Sequence, residues 1–232
     1  MIATKVGMSP GLSGLSRATI RRGIEGSLER LKIECIDLYY AHRDDSSTPL
    51  QETLGAFGEL IDEGRIRYAA ASNYSAARLT EALRIGERDA TASYVALQPH
   101  YNLMERAGYE GELAAVCEQR GLACVPYFGL ARGFLTGKYR RDGERVESPR
   151  AAGVRESYGG ERGFAVLDAL QEIAAARQTA VAAVALAWLA AQPTVLAPIA
   201  SARSPARLAE LVPSVQLELS AAELARLSDV SG

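Results

Sequence analysis

The run IDLYYAH at 36–42 ends on one of only two histidines in the chain and then enters Arg43, Asp44 and Asp45. Alternate side chains of a strand share a face, so Ile36, Leu38, Tyr40 and His42 form one inward row with the imidazole at its end. A histidine there could hydrogen-bond and orient a substrate carbonyl; the plainer reading is an imidazole satisfied by a neighbouring backbone carbonyl. Polar residues close the other short apolar runs in the same way: Lys5, Ser72 with Asn73, Gln98 with His100, Tyr127, and Ser201. Each has an ordinary alternative. Lys5 fits a solvated lysine near a terminus, Ser72 and Asn73 fit turn chemistry before a helix capped by Ser75, and Gln98 fits a structural amide. Their shared position at strand ends is the stronger signal.

The segment PIASARSPARLAEL adds a candidate anion site. Ser204 reads as an N-cap and Pro205 as the first helical residue, with Arg203 and Arg207 flanking the helix N-terminus, where a phosphate is favoured. The competing reading is two exposed arginines on a surface helix. GFLTGK at 133–138 is not a P-loop: three residues separate its glycines, and Tyr139 follows the lysine where Ser or Thr would hold magnesium. His42 and His100, far apart in sequence, argue against a metal site, as does the spacing of Cys35, Cys117 and Cys124.

These residues need a scaffold that brings several strand ends together. Six β-rich runs, MIATKVG, IDLYYAH, RYAAASN, YVALQPHYN, ACVPYFG and TVLAPIAS, alternate with helical periodicity. One helix begins at Ser16 and places Ile20, Ile24, Leu28 and Leu31 on one face, and another carries Leu54, Phe57 and Ile61. Ser75 is expected to cap a helix bearing Leu79 and Leu83, and further helices are expected at 110–119, 164–177 and 181–191. The alternation predicts an α/β fold with a parallel sheet and helical crossovers. A doubly wound sheet and a (β/α)8 barrel both fit it. The lack of an early G-x-G-x-x-G and the polar rim favour a TIM-barrel type, with about six βα units visible and the first two missing. The stretch 129–158 reads as a long polar binding loop.

The 232 residues are expected to form a single barrel domain, 1–232. Hydrophobic residues make up 48%, enough for a sizeable core, and the net charge of −2 advertises no nucleic acid or anionic membrane. No apolar run reaches the length of a membrane span, there is no signal-peptide pattern, and the odd cysteine count suits reduced thiols, so a cytoplasmic protein is expected.

The ordered segments ATKVG, ERLKIECIDLYYAHRDD, GRIRYAAASNYS, ALQPHYNLMER, PYFGLARGFLTGKY, VALAWLAAQP and PIASARSP together resemble the aldo-keto reductases across essentially the whole chain. The resemblance implies a (β/α)8 barrel that binds NADP(H) without a Rossmann motif and transfers hydride reversibly between nicotinamide and a small-molecule carbonyl. It gives Lys5 and His42 catalytic roles. Ser72, Asn73 and Gln98 match residues that hold the nicotinamide carboxamide, and Tyr127 the aromatic stacked on its ring. Leu130, Arg132 and Gly133 match the loop over the pyrophosphate, and Ser201, Arg203 and Arg207 the segment around the adenosine phosphate. Leu211 stands where many relatives have Asn beside the adenine. The family's acid tyrosine and its aspartate partner lie upstream of the lysine strand. The expectation is therefore an N-terminally truncated reductase of doubtful activity that self-associates through exposed barrel edges. The alternatives are a non-catalytic nucleotide-binding or interaction protein on a degenerate barrel, and a phosphate-binding lyase or isomerase.

Overall fold

In the computed structural model, which describes residues 1–141 and 151–232, the chain forms two compact units. One comprises Met1–Pro99 with Gly111–Cys124 and the other His100–Glu110 with Val125–Gly232.

The first unit alternates strand and helix. It runs through β1 (Ala3–Val6), a small hairpin of β2 (Met8–Ser9) and β3 (Leu12–Ser13), α1 (Arg17–Leu31), β4 (Ile36–Ala41) and α2 (Leu50–Asp62). It continues through β5 (Ile66–Ser72), α3 (Ala76–Asp89), β6 (Tyr94–Gln98), α4 (Glu112–Arg120) and β7 (Ala123–Cys124). The five long-range strands pair in parallel in the order β1-β4-β5-β6-β7. Neighbours in the sheet are thus neighbours in the βα succession, as a (β/α)8 fold requires. Ser16 and Ser75 accept the Thr19 and Arg78 N–H groups and so start α1 and α3, as their sequence positions predict.

Side-chain alternation gives the sheet two faces. Tyr40, Ala70 and Ala96 pack together on one, joined by Leu38 and Ala123. On the other, Tyr39 meets Phe57 of α2 edge-on at 5.7 Å, and Phe57 meets Tyr94 at 6.2 Å. Ile20, Ile24 and Leu28 are buried as their periodicity predicts. Leu31 departs from that face: it stands in the last turn of α1 and is exposed. In α2, Leu60 is buried and Ile61 only half-buried, because the buried stripe centres on Thr53, Phe57 and Leu60 and leaves Ile61 at its margin.

The second unit contains a 3-10 segment (Ala131–Thr136), α5 (Ala151–Tyr158), α6 (Glu161–Ala176), α7 (Val181–Ala190), α8 (Pro205–Leu211), a second 3-10 turn (Val212–Val215) and α9 (Ala221–Ser231). Eight consecutive residues of α7, from Ala182 to Leu189, are buried, and the Trp188 indole donates to the Ser228 hydroxyl of α9 at 3.1 Å. Among the described residues, no single helix is long and apolar enough to cross a membrane.

Two expectations change here. TVLAPIAS forms no named strand among the described residues; the Ile199 N–H does donate to the Pro126 carbonyl at 2.9 Å. Pro198 has no N–H to give a ladder, which leaves this run as an irregular edge. The stretch 129–158 is not a structureless loop either, although 142–150 lies outside the described residues. Its ends are the 3-10 segment and α5, joined through Phe134, whose ring lies 5.4, 5.7 and 6.1 Å from those of Tyr139, Tyr158 and Phe164. An aromatic cluster of this kind offsets the cost of ordering a polar segment.

Candidate functional site

In the first unit, the strand ends bring Lys5, Tyr40, His42, Ser72, Asn73 and Gln98 together. Sheet register sets Lys5 beside Tyr40 and Ser72 beside Gln98. The Lys5 ammonium sits 5.5 Å from the centre of the Tyr40 ring, a cation–π contact. Burial lowers the Lys5 pKa and raises that of the Tyr40 phenol, which hydrogen-bonds the Gln98 side chain. His42 follows β4 directly and is held by its backbone: its N–H donates to the Val6 carbonyl, and its carbonyl accepts from Asn73 Nδ2, both at 2.9 Å. Burial lowers the His42 pKa, and the charges of Lys5 and Arg43 push it the same way. The imidazole is therefore neutral near pH 7 and can carry one N–H toward a carbonyl oxygen.

Ser72 and Asn73 serve the scaffold as well. The buried Ser72 hydroxyl donates to the Gln98 carbonyl at 2.8 Å, and Asn73 Nδ2 also donates to Ser72 Oγ at 3.1 Å. Asn73 has a left-handed backbone, φ 55°, which Asn adopts more readily than most residues. These bonds give the dipeptide a turn and scaffold role at the strand ends.

In the second unit, one cavity of about 640 Å³ gathers seven expected cofactor residues: Tyr127, Leu130, Arg132, Gly133, Ser201, Arg203 and Arg207. Its wall also includes Phe128, Thr136 and Lys138, which the sequence reading did not select, and Leu211. The Lys138 pKa is lowered, by burial first and then by the nearby charges of Arg203 and Arg207, which line the same cavity. The local signal for Lys138 was its place in GFLTGK, which lost its weight once the P-loop spacing failed. Arg207 is partly neutralised by Glu210, and α8 is under two turns long. The side-chain cations rather than a helix dipole therefore make this region anion-attracting.

The backbone around the cavity is unusual. Phe128, Ala131 and Arg132 take positive φ without being glycine, and Gly133 has φ +95°. A side chain on Gly133 would meet Lys138 Nζ at 3.4 Å. The fully buried Asn102 braces this turn by donating to the Phe128 carbonyl at 2.9 Å while its own Oδ1 accepts the Met104 N–H.

Residues 1–231 match the model of the aldo/keto reductase family. Among similar curated proteins are a probable voltage-gated potassium channel subunit beta of Oryza sativa subsp. japonica, 33% identical over 90% of this chain and 66% of its own length, and an aldo-keto reductase of Fusarium vanettenii, 33% identical over 89% and 55%. A third is an L-glyceraldehyde 3-phosphate reductase of Escherichia coli, 31% identical over 98% and 68%. The family match runs from residue 1 and lends no support to the expected N-terminal truncation. The chain spans 66% of the rice relative's length.

Proposed function

We propose that this chain, which belongs to the aldo/keto reductase family, binds NADP(H) and uses it to reduce small aldehydes or ketones reversibly. The observation that carries the reading is the cavity of the second unit, where Tyr127 and four cations, Arg132, Lys138, Arg203 and Arg207, line one space. An aromatic wall for a flat ring and clustered guanidinium groups for phosphates are the complement of a phosphorylated dinucleotide. The residues fit such a group. The cavity's volume suits a ligand of that class, and Gly133 leaves open the space beside Lys138 that a Cβ would enter.

When bound, the nicotinamide supplies the hydride. The chain's own residues do the rest. His42, neutral near pH 7, donates a hydrogen bond to the carbonyl oxygen and orients it, while the Lys5 ammonium stabilises negative charge developing on that oxygen. Ser72, Asn73 and Gln98 are assigned to the carboxamide, with Leu130 and Ser201 completing the phosphate-facing wall. Among the described residues, the phenol that Lys5 meets is Tyr40, whose pKa is raised rather than lowered. That observation favours a second reading, a nucleotide-binding subunit with little turnover, and the rice relative is itself a probable voltage-gated potassium channel subunit beta.

A cytoplasmic setting belongs to the proposal, in keeping with three cysteines outside any disulfide. So does self-association, since Ile2 in the first unit and Leu196 in the second are exposed, Leu196 at 73%. Calorimetric titration with NADP⁺, followed by NADPH oxidation assays with short aldehydes, tests the reading. Binding with turnover supports the enzyme, binding without turnover supports the subunit, and no binding sinks both.

A further inference from the structure

We propose that His100 is a positioning residue for Tyr127, and that only its neutral imidazole can hold the tyrosine as the aromatic wall of the cavity. The proposal rests on the nucleotide reading of that cavity and adds to it an acid-sensitive support.

The geometry is specific. The His100 and Tyr127 rings lie nearly parallel, 16° apart with centroids 5.2 Å apart, and the two residues are bridged through their backbones. Phe128 meets both rings edge-on, at 5.4 Å from His100 and 5.1 Å from Tyr127. Tyr127 and Phe128 line the cavity, whereas His100 is not among its lining residues. His100 therefore acts on the cavity through the tyrosine and not by touching a ligand.

The imidazole's Nε2 is buried and meets no hydrogen-bond partner among the described residues. A neutral ring tolerates that, since it is largely a flat apolar body, but an imidazolium must carry a proton on both nitrogens and bury an unpaired charge. Two charged groups bear on it. Burial lowers the His100 pKa; Glu105, which attracts a proton, works against it, and Arg132, which repels one, works with it. Glu105 is itself engaged by the Tyr158 hydroxyl of α5 at 3.0 Å, and Arg132 lies over Phe128, 5.3 Å from the ring centre. Of the neighbouring rings, Tyr127 has its phenol raised by burial and stays neutral throughout the acid range.

Protonating His100 then costs the stack. The imidazolium gains by moving to water or toward Glu105, and either shift removes the support behind Tyr127. Binding to the cavity should weaken as pH falls below the ordinary histidine range of about 6.5.

The test is calorimetric titration of the full chain with NADP⁺ at intervals from about pH 8 down to about pH 5.5, on the unmodified protein, His100→Phe and His100→Ala. The 2′-phosphate titrates in the same range and weakens binding equally in all three, so the difference between variants is the readout. The phenyl ring stacks without titrating. His100→Phe should match the unmodified protein at the upper pH and lose at least threefold less affinity on acidification, while His100→Ala should bind more weakly at every pH. In parallel, imidazole NMR of the ligand-free protein should show His100 titrating below its ordinary value, with the Tyr127 ring signals shifting at the same midpoint. Equal acid losses in the unmodified protein and His100→Phe, or Tyr127 signals indifferent to His100, would overturn the inference while the nucleotide reading stands. No NADP⁺ binding by any variant at the upper pH, with the NMR coupling present, would instead remove the nucleotide reading, and the cofactor role of His100 with it.

Discussion

Arg207 and Glu210 lie three residues apart on α8, with the guanidinium Nη1 2.9 and 2.8 Å from the two carboxylate oxygens. Arg203, in the same cavity, has no carboxylate partner among the described residues. The two arginines are therefore unequal. On the proposed NADP(H) reading, a 2′-phosphate would engage Arg203 outright and share Arg207 with Glu210.

Arg203→Ala should weaken NADP⁺ binding roughly tenfold to a hundredfold, the value of about 1.5–3 kcal/mol for a charge-assisted bond, and Arg207→Ala should weaken it less. NAD⁺ binding should change little in either. Titrations of both cofactors give the ratio directly; equal affinity of the unmodified protein for the two would end the 2′-phosphate assignment.

His42→Ala should lower carbonyl turnover by about 10²-fold or more while leaving NADP⁺ affinity nearly unchanged, because the imidazole is assigned to the carbonyl. Its lowered pKa carries a sign. The unfolded chain binds a proton near pH 6.5 before the folded one does, so this group takes stability away as pH falls through that window. Histidine NMR checks the titration, and a mutant with normal turnover but poor cofactor binding would move His42 to the cofactor.

The phenol beside Lys5 is poorly suited to be an acid, since burial raises the Tyr40 pKa. With Tyr40 as the phenol beside Lys5 among the described residues, reduction of small aldehydes is expected to be slow, short of the factor of about 10²–10⁴ that a matched general acid contributes. Following NADPH oxidation decides this. Brisk turnover that Tyr40→Phe abolishes would give Tyr40 the acid role after all.

Asp45 should matter for stability instead. Burial alone would raise its carboxyl pKa, but bonds from Ser47, Thr48 and the Leu15 N–H outweigh burial and hold it at about 2. A depressed carboxyl stabilises above its unfolded pKa near 3.9, and that contribution is lost as pH falls toward about 2. Discounted for its partial exposure, the contribution is about 1 kcal/mol. Asp45→Asn should lower stability by about that much at neutral pH and by progressively less in acid, as denaturant melts at several pH values would record.

How much of this was legible in the chain varies with the range of the interaction responsible. Helix caps at Ser16 and Ser75 and the faces of α1 and β4 follow from local spacing, because a cap or a periodic face is settled by residues a few positions apart. The candidate residues Lys5, His42, Ser72, Asn73 and Gln98 could be named from their places at strand ends, since parallel crossovers bring such ends to one rim. Sequence order alone could not show that Asn73 spends its amide on the His42 carbonyl, or that Glu210 already holds Arg207. Hydrogen-bond donors choose partners by distance, and distance is set only when the strands and turns pack. The same holds at 129–158, where Phe134 gathers Tyr139, Tyr158 and Phe164 into a cluster that turns an apparent loop into ordered structure at its two ends. His100 is the clearest case. Its type and position are plain in the sequence, but a buried nitrogen without a partner, behind a stacked tyrosine, exists only in three dimensions, where desolvation depends on what surrounds a group.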